Sequence, residues 1–318
     1  MLLKVGKIFV ISGEKQSFGK DRDMCNTIRM ELYKLFRMKS FFVLAIITIA
    51  MVVLTAAFLV DDIEENTQAQ STQIIGINGT ENGPEDNSVQ FGISESVEGM
   101  DVDNLAVLEI YGQHLSSGLF ILFNVIFLVL YVTADIKNGY IKNIGGQVKH
   151  RSSLIWSKWA AAAAYVLVFD VVTFLVEAVS MRISLGYLHW GSFQTYLPYI
   201  GVQVVLQYSF LVACMTITMV LRSRAFGMLA GTCLSMGVAG LICTGLDAVC
   251  NRFFSVKDLH LENYLLTTKM SELLPGAGAA QIRNILLLAV AYLVVSTLVS
   301  WRRMFLFFSI AISVALYC

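Results

Sequence analysis

The chain has 318 residues, with 23 Lys or Arg against 23 Asp or Glu, a mean hydropathy of +0.67, 56% hydrophobic residues and only 14% charged ones. Soluble domains carry about 25% charged and about 45–50% apolar residues, so the composition excludes an ordinary soluble domain, and a net charge of zero gives no overall attraction to nucleic acid. Three prolines and 23 glycines exclude collagen-like and low-complexity chains, and the six cysteines (Cys25, Cys214, Cys233, Cys243, Cys250, Cys318) form no CxxC pair that would suit zinc or a disulfide framework. Most of these cysteines lie inside apolar runs, where cysteine acts as a small hydrophobe. The composition is that of an integral membrane protein.

Residues 1–40 read as a cytoplasmic N-terminal segment, in which Met24 begins a more typical start and Met1–Asp23 read as an extension or a misassigned start. Cys25–Ser40 predict an amphipathic helix. Ile28, Leu32, Leu35 and Phe36 fall at i, i+4, i+7 and i+8, and Arg29, Glu31, Lys34 and Arg37 fill the other face. A basic amphipathic helix beside a span lies in the interface plane with its cations near anionic headgroups. A positively charged flank that only sets topology is the plainer alternative.

Six stretches then suit an all-α membrane domain over residues 41–303: Phe41–Val60, Ser116–Thr133, Trp159–Met181, Tyr199–Leu221, Ala225–Ala248 and Gln281–Ser300. Each has about the 20 residues that cross the hydrocarbon core. The first begins too far into the chain, and is followed by no A-x-A-like site, to be a signal peptide. Lys and Arg fix the orientation. Residues 1–40 hold nine of them, and 61–115 hold none against twelve Asp or Glu. They return at Lys137, Lys142, Lys149, Arg151 and Lys158, at Arg222 and Arg224, and at Arg302 and Arg303, with lone Arg182 and a mixed-charge stretch around Arg252–Lys269 as the exceptions. Both termini are therefore expected in the cytoplasm, and the chain in the cytoplasmic membrane.

The outer loop 61–115 includes NGTENGPEDNS (Asn78–Ser88), turn chemistry throughout, and reads as a plain solvated loop, with a binding lid as the alternative. Glu109 and His114 read there as isolated surface residues. The cytoplasmic stretch 134–158 holds Tyr140, Ile141 and Ile144 as a short apolar face framed by Gly139 and Gly145-Gly146, a shape that can dock in a groove on a partner. Asp170 and Glu177, seven residues apart, share one face of the third stretch. Each costs about 2.5–3.5 kcal/mol at mid-bilayer. They read either as a proton or cation path, or with Glu177 near the outer boundary and Asp170 paired with polar groups of a neighbouring span. Gly227 and Gly231 form a GxxxG that lets helices approach closely, with packing inside the bundle the safer reading. LPGAGAA (Leu274–Ala280) is a break or a loop. The apolar tail 304–318 is short for a span and lies in the interface or against the bundle.

No G-x-x-x-x-G-K-[ST] and no H-E-x-x-H occurs, and there are only four histidines. No catalytic, cofactor or metal site is expected on this chain, and any ATP used is expected on a separate polypeptide.

Two motifs carry a resemblance. MELYKLFRMKSFF (Met30–Phe42) resembles the E-x-x-K-x-x-R opening, and DIKNGYIKN…HRSSLIWSK the E-x-x-x-G-T-I-K-x…R-x-x-x-x-x-x-K signature, of ABC-2-type permeases, the membrane subunits of bacterial ATP-binding-cassette transporters. The six-span plan with a long first outer loop agrees over most of residues 24–303. The chain departs in having Asp135 for Glu and Tyr140 for Thr. The resemblance implies an elbow helix carrying Glu31, Lys34 and Arg37, and a coupling loop carrying Asp135, Gly139, Tyr140, Ile141, Lys142, Asn143, Arg151 and Lys158. It further implies a cytosolic ATP-binding-cassette subunit, a second permease chain, and an amphipathic cargo (antimicrobial peptide, drug or lipid-like compound). The alternatives from other classes are an ion-gradient-driven carrier using Asp170 and Glu177, and a sensor or scaffold with an acidic outer loop.

Overall fold

The computed structural model describes residues 24–65, 72–75, 93–95, 106–137, 152–254 and 261–317. Helix α1 (24–37) turns at Met38, whose N–H meets Leu35 O at 3.3 Å, into α2 (Lys39–Glu65). Two short strands, β1 (Thr72–Ile75) and β2 (Ile93–Glu95), pair antiparallel with Thr72 opposite Glu95. Then come α3 (Val107–Ser116), α4 (Gly118–Lys137), α5 (Ser152–Leu185), α6 (Phe193–Leu221), α7 (Arg224–Ser235), α8 (Val238–Phe254), a 3-10 turn at Leu261–Tyr264, α9 (Leu266–Glu272) and α10 (Ala279–Tyr317).

Among the described residues five helices are long and apolar enough to cross a membrane, α2, α4, α5, α6 and α10, and a sixth if α7 and α8 count together. At 1.5 Å per residue, the 34 residues of α5 reach about 51 Å, well past a hydrocarbon core of about 30 Å. The core lies where α4, α5 and α6 meet. Phe127, Tyr131, Tyr165, Leu206 and Leu211 are fully enclosed there, and Leu35 of α1 joins them. Helices α2 and α10 flank this centre and leave most of their apolar surface outside, as at Ile46 and Leu287. A bundle facing lipid need not hide such side chains, because acyl chains are as apolar as they are.

Four expectations change. The stretch expected as one span over Ala225–Ala248 is two helices bent by 73°. The break falls at Gly237, whose φ of +80° is open to glycine and strained for other residues. The end of the outer loop is not solvated: α3 buries Val107, Leu108, Tyr111, His114 and Leu115 and is set off from α4 by extended Ser117. The tail 304–318 is no separate element, since α10 runs unbroken from Ala279 to Tyr317. Glu31 does not lie on the polar face of α1. It follows Thr27 and precedes Leu35 at four-residue spacing, and all three are buried together.

The GxxxG pair packs inside the bundle. A Cβ on Gly231 would collide with Val125 Cγ1 of α4, and one on Gly227 would lie 2.8 Å from Thr218 Cγ2 of α6. Segment Leu274–Ala280 is a turn leading into α10, closed by Ala277 N–H to Leu274 O at 3.2 Å.

Candidate functional site: polar groups buried along one face of α5

Lys158, Tyr165, Asp170, Thr173 and Glu177 recur at spacings of three to seven residues along α5, so they form one stripe turned into the bundle. All five are buried, and the stripe meets partners at three levels.

At the α1 end, two carboxylates and two ammonium groups meet. Lys158 Nζ contacts Glu31 Oε1 at 3.2 Å and is ion-paired with Asp135, which also pairs with Lys34. Lys34 Nζ lies 3.9 Å from Glu31 Oε2. Tyr131 Oη donates to Glu31 Oε2 at 2.6 Å, and its ring lies under both ammonium groups, 5.2 Å from Lys34 Nζ and 5.0 Å from Lys158 Nζ. Glu31 and Asp135 are 0% and 1% exposed, and Lys34, at 23%, is the member open to solvent. The four charges sum to zero, which is what allows burial: an isolated charge would cost far more than its hydrogen bonds return, whereas a neutral, mutually bonded set offsets most of its desolvation. Burial pushes the Lys34 ammonium down to about 8, aided by the Lys158 charge and opposed by Glu31.

Midway, Tyr165 Oη donates to Asn124 Oδ1 at 2.7 Å, and the Tyr165 ring stacks on Phe127 with centroids 4.5 Å apart. At the α3 end, His114 Nδ1 and Glu177 Oε2 are 2.8 Å apart, and Thr55 Oγ1 of α2 lies 3.4 Å from His114 Nε2. Tyr111, three residues before His114, donates to Asp170 O at 2.8 Å and packs edge-on against Phe174. Burial, with the nearby Asp170 and Glu177 carboxyls, holds the Tyr111 phenol well above its ordinary range.

The sequence-derived residues thus divide. Glu31, Lys34, Asp135 and Lys158, drawn from both motifs, converge at one point. Arg37 does not join them and is instead bonded to Tyr33 on the exposed side of α1. Gly139, Tyr140, Ile141, Lys142, Asn143 and Arg151 lie outside the described residues. Asp170 and Glu177 are both buried in the stripe. His114 is no surface residue: at 4% exposure it is the partner of Glu177. Tyr131 was not singled out in the sequence, although its place four residues before Asp135 sets both on one face of α4. Among the described residues no group of three or more His, Cys, Asp or Glu could hold a metal ion.

No protein-family model matches the chain, and no curated protein matches it.

Proposed function

We propose that the chain is the permease subunit of an ABC-2-type transporter, moving an amphipathic substrate across or out of the cytoplasmic membrane with energy from a separate ATPase subunit. In this reading the chain has no ATPase activity of its own, and two permease chains form the transporter. Both termini and residues 134–158 face the cytoplasm, and Gly139–Asn143 seat on the ATP-binding subunit.

The observation that carries the reading is the neutral four-charge cluster. Asp135 closes α4 and Lys158 lies in the second turn of α5, so the cluster clasps both ends of segment 138–151 and ties them to α1 through Glu31 and Lys34. A push on that segment would be passed to the ends of α4 and α5 together with α1, rather than absorbed by one helix. A buried ionic set with one low-energy arrangement suits such transmission, because it holds register and resists partial slippage.

The test is gentle purification of the tagged protein from its native membrane, followed by mass spectrometry of what accompanies it. The reading expects a stoichiometric ATP-binding subunit that is lost when Gly139–Asn143 are replaced by a Gly/Ser linker. A chain that purifies alone, with no ATPase activity in the preparation, would refute it.

A further inference from the structure

Helix α1 has two unlike faces. Thr27, Glu31 and Leu35 form its buried line, whereas Cys25, Arg29, Tyr33 and Arg37 recur every four residues along the opposite side and are all exposed. Charge is sorted between the two. Glu31 is withdrawn into the four-charge cluster and Lys34 reaches in after it, so the carboxylate of α1 is spent on Lys158 and Lys34 and does not screen the outward line. Among the described residues neither Arg29 nor Arg37 has an ion pair. Arg37 donates to Tyr33 Oη, and its guanidinium lies over the Tyr33 ring, 5.6 Å from the centroid. That contact uses one N–H of the fork and leaves the others open.

The cationic line runs straight into a lipid-facing surface. Just past the turn at Met38, α2 begins a series of exposed apolar side chains, with Phe42 and Val43 each 55% and Ile46 66% exposed. Helix α2 is long and apolar enough to cross a membrane, and such side chains suit acyl chains. Arg37 therefore stands five residues before the surface turns to hydrocarbon, the level at which headgroup phosphates lie. Trp156, 54% exposed and two residues before Lys158, marks the same end of the bundle, and an indole is at home in that interfacial layer. A soluble acidic partner would need no continuity with an acyl-facing surface, whereas a lipid needs both.

We infer that Arg29 and Arg37, with Tyr33 between them, bind anionic phospholipids of the leaflet that α1 borders. A guanidinium fork matches a phosphate with two parallel hydrogen bonds. The two arginines stand about 12 Å apart along the helix axis, far enough for each to take its own headgroup. Net charge sets the preference. Phosphatidylglycerol presents its phosphate alone, whereas phosphatidylcholine brings a quaternary ammonium that two guanidinium groups repel. Helix α1 is thereby held from both sides, by the ionic cluster on its buried face and by lipid on the other. The inference does not depend on an ATPase partner.

Native mass spectrometry of the full-length protein in micelles, titrated with equal amounts of phosphatidylglycerol and phosphatidylcholine, tests it. The wild type should retain phosphatidylglycerol in preference. Arg29→Gln or Arg37→Gln should lower that preference about fivefold, and the double variant about 25-fold. Both side chains are exposed and outside the ionic cluster, and glutamine forms helix about as well as arginine, so the fold is kept. Arg283→Gln, an exposed change near the start of α10, should leave the preference as it was. The inference is overturned if the wild type shows no preference, a result that needs no variant to fold. It is also overturned if the double variant keeps the preference, if Arg283→Gln lowers it equally, or if excess inorganic phosphate displaces the lipid, which would make the site one for a soluble anion. None of these outcomes bears on co-purification of an ATPase, so the two readings fail separately.

Discussion

Lys158→Met tests the ionic cluster most severely, because it removes the more deeply buried of the two ammonium groups that reach both carboxylates while keeping side-chain volume. Glu31 and Asp135, at 0% and 1% exposure, would then share Lys34 alone, which is itself 23% exposed and cannot neutralise both. Removing one partner from a buried ionic set costs about 3–5 kcal/mol, since the surviving charge is left uncompensated. Glu31→Gln should cost less, because Gln still accepts from Tyr131 and the surplus positive charge can be shed by Lys34. The double variant returns the set to one carboxylate and one ammonium, so it should recover about 1–3 kcal/mol relative to the sum of the single changes. Equilibrium unfolding in mixed micelles at pH 7 gives all four stabilities. Single changes below about 1 kcal/mol with strict additivity would show that the charges are solvated one by one, and the cluster would lose its standing as a unit.

Tyr131→Phe deletes a buried donor to a carboxylate at 2.6 Å and should cost about 1.5–3 kcal/mol in the same assay, with a smaller loss in the Glu31→Gln background. Gly231→Val forces a side chain into Val125 and should destabilise by about 1–3 kcal/mol, partly restored by Val125→Ala; no loss would place α7 away from α4. Lys34 releases its proton near pH 8 when folded and near 10.5 when unfolded, so between those values the unfolded chain binds more protons and stability should rise with pH. Lys34→Met should flatten that rise, and a slope unchanged by the substitution would assign it to another group.

The apolar runs made the long helices legible, because crossing a bilayer demands length and hydrophobicity and little else. What they could not carry was the direction of the polar residues among them. Glu31 looked like part of a solvated face beside Arg29 and Lys34, yet four-residue spacing equally sets it with Thr27 and Leu35. Which face wins depends on Lys158, 127 residues away, and no local pattern reports that partner. His114 was misplaced for the same reason: as a histidine ending a polar loop it suits a surface, and only Glu177 gives it cause to be buried. The bend at Gly237 is a different failure. The residues on both sides are apolar enough for one span, so hydropathy runs straight through a backbone break that only the glycine's φ betrays. Conversely, Asp135 and Lys158 were picked out by motif, and the fold brings them to the same contact.

The central claim is that segment 138–151 meets an ATP-binding subunit, and site-specific photocrosslinking from Ile141 in intact cells tests it most directly. The account predicts one dominant adduct, to a protein that carries a Walker A motif, diminished by Lys158→Met. Adducts confined to lipid, or to this chain alone, would contradict it.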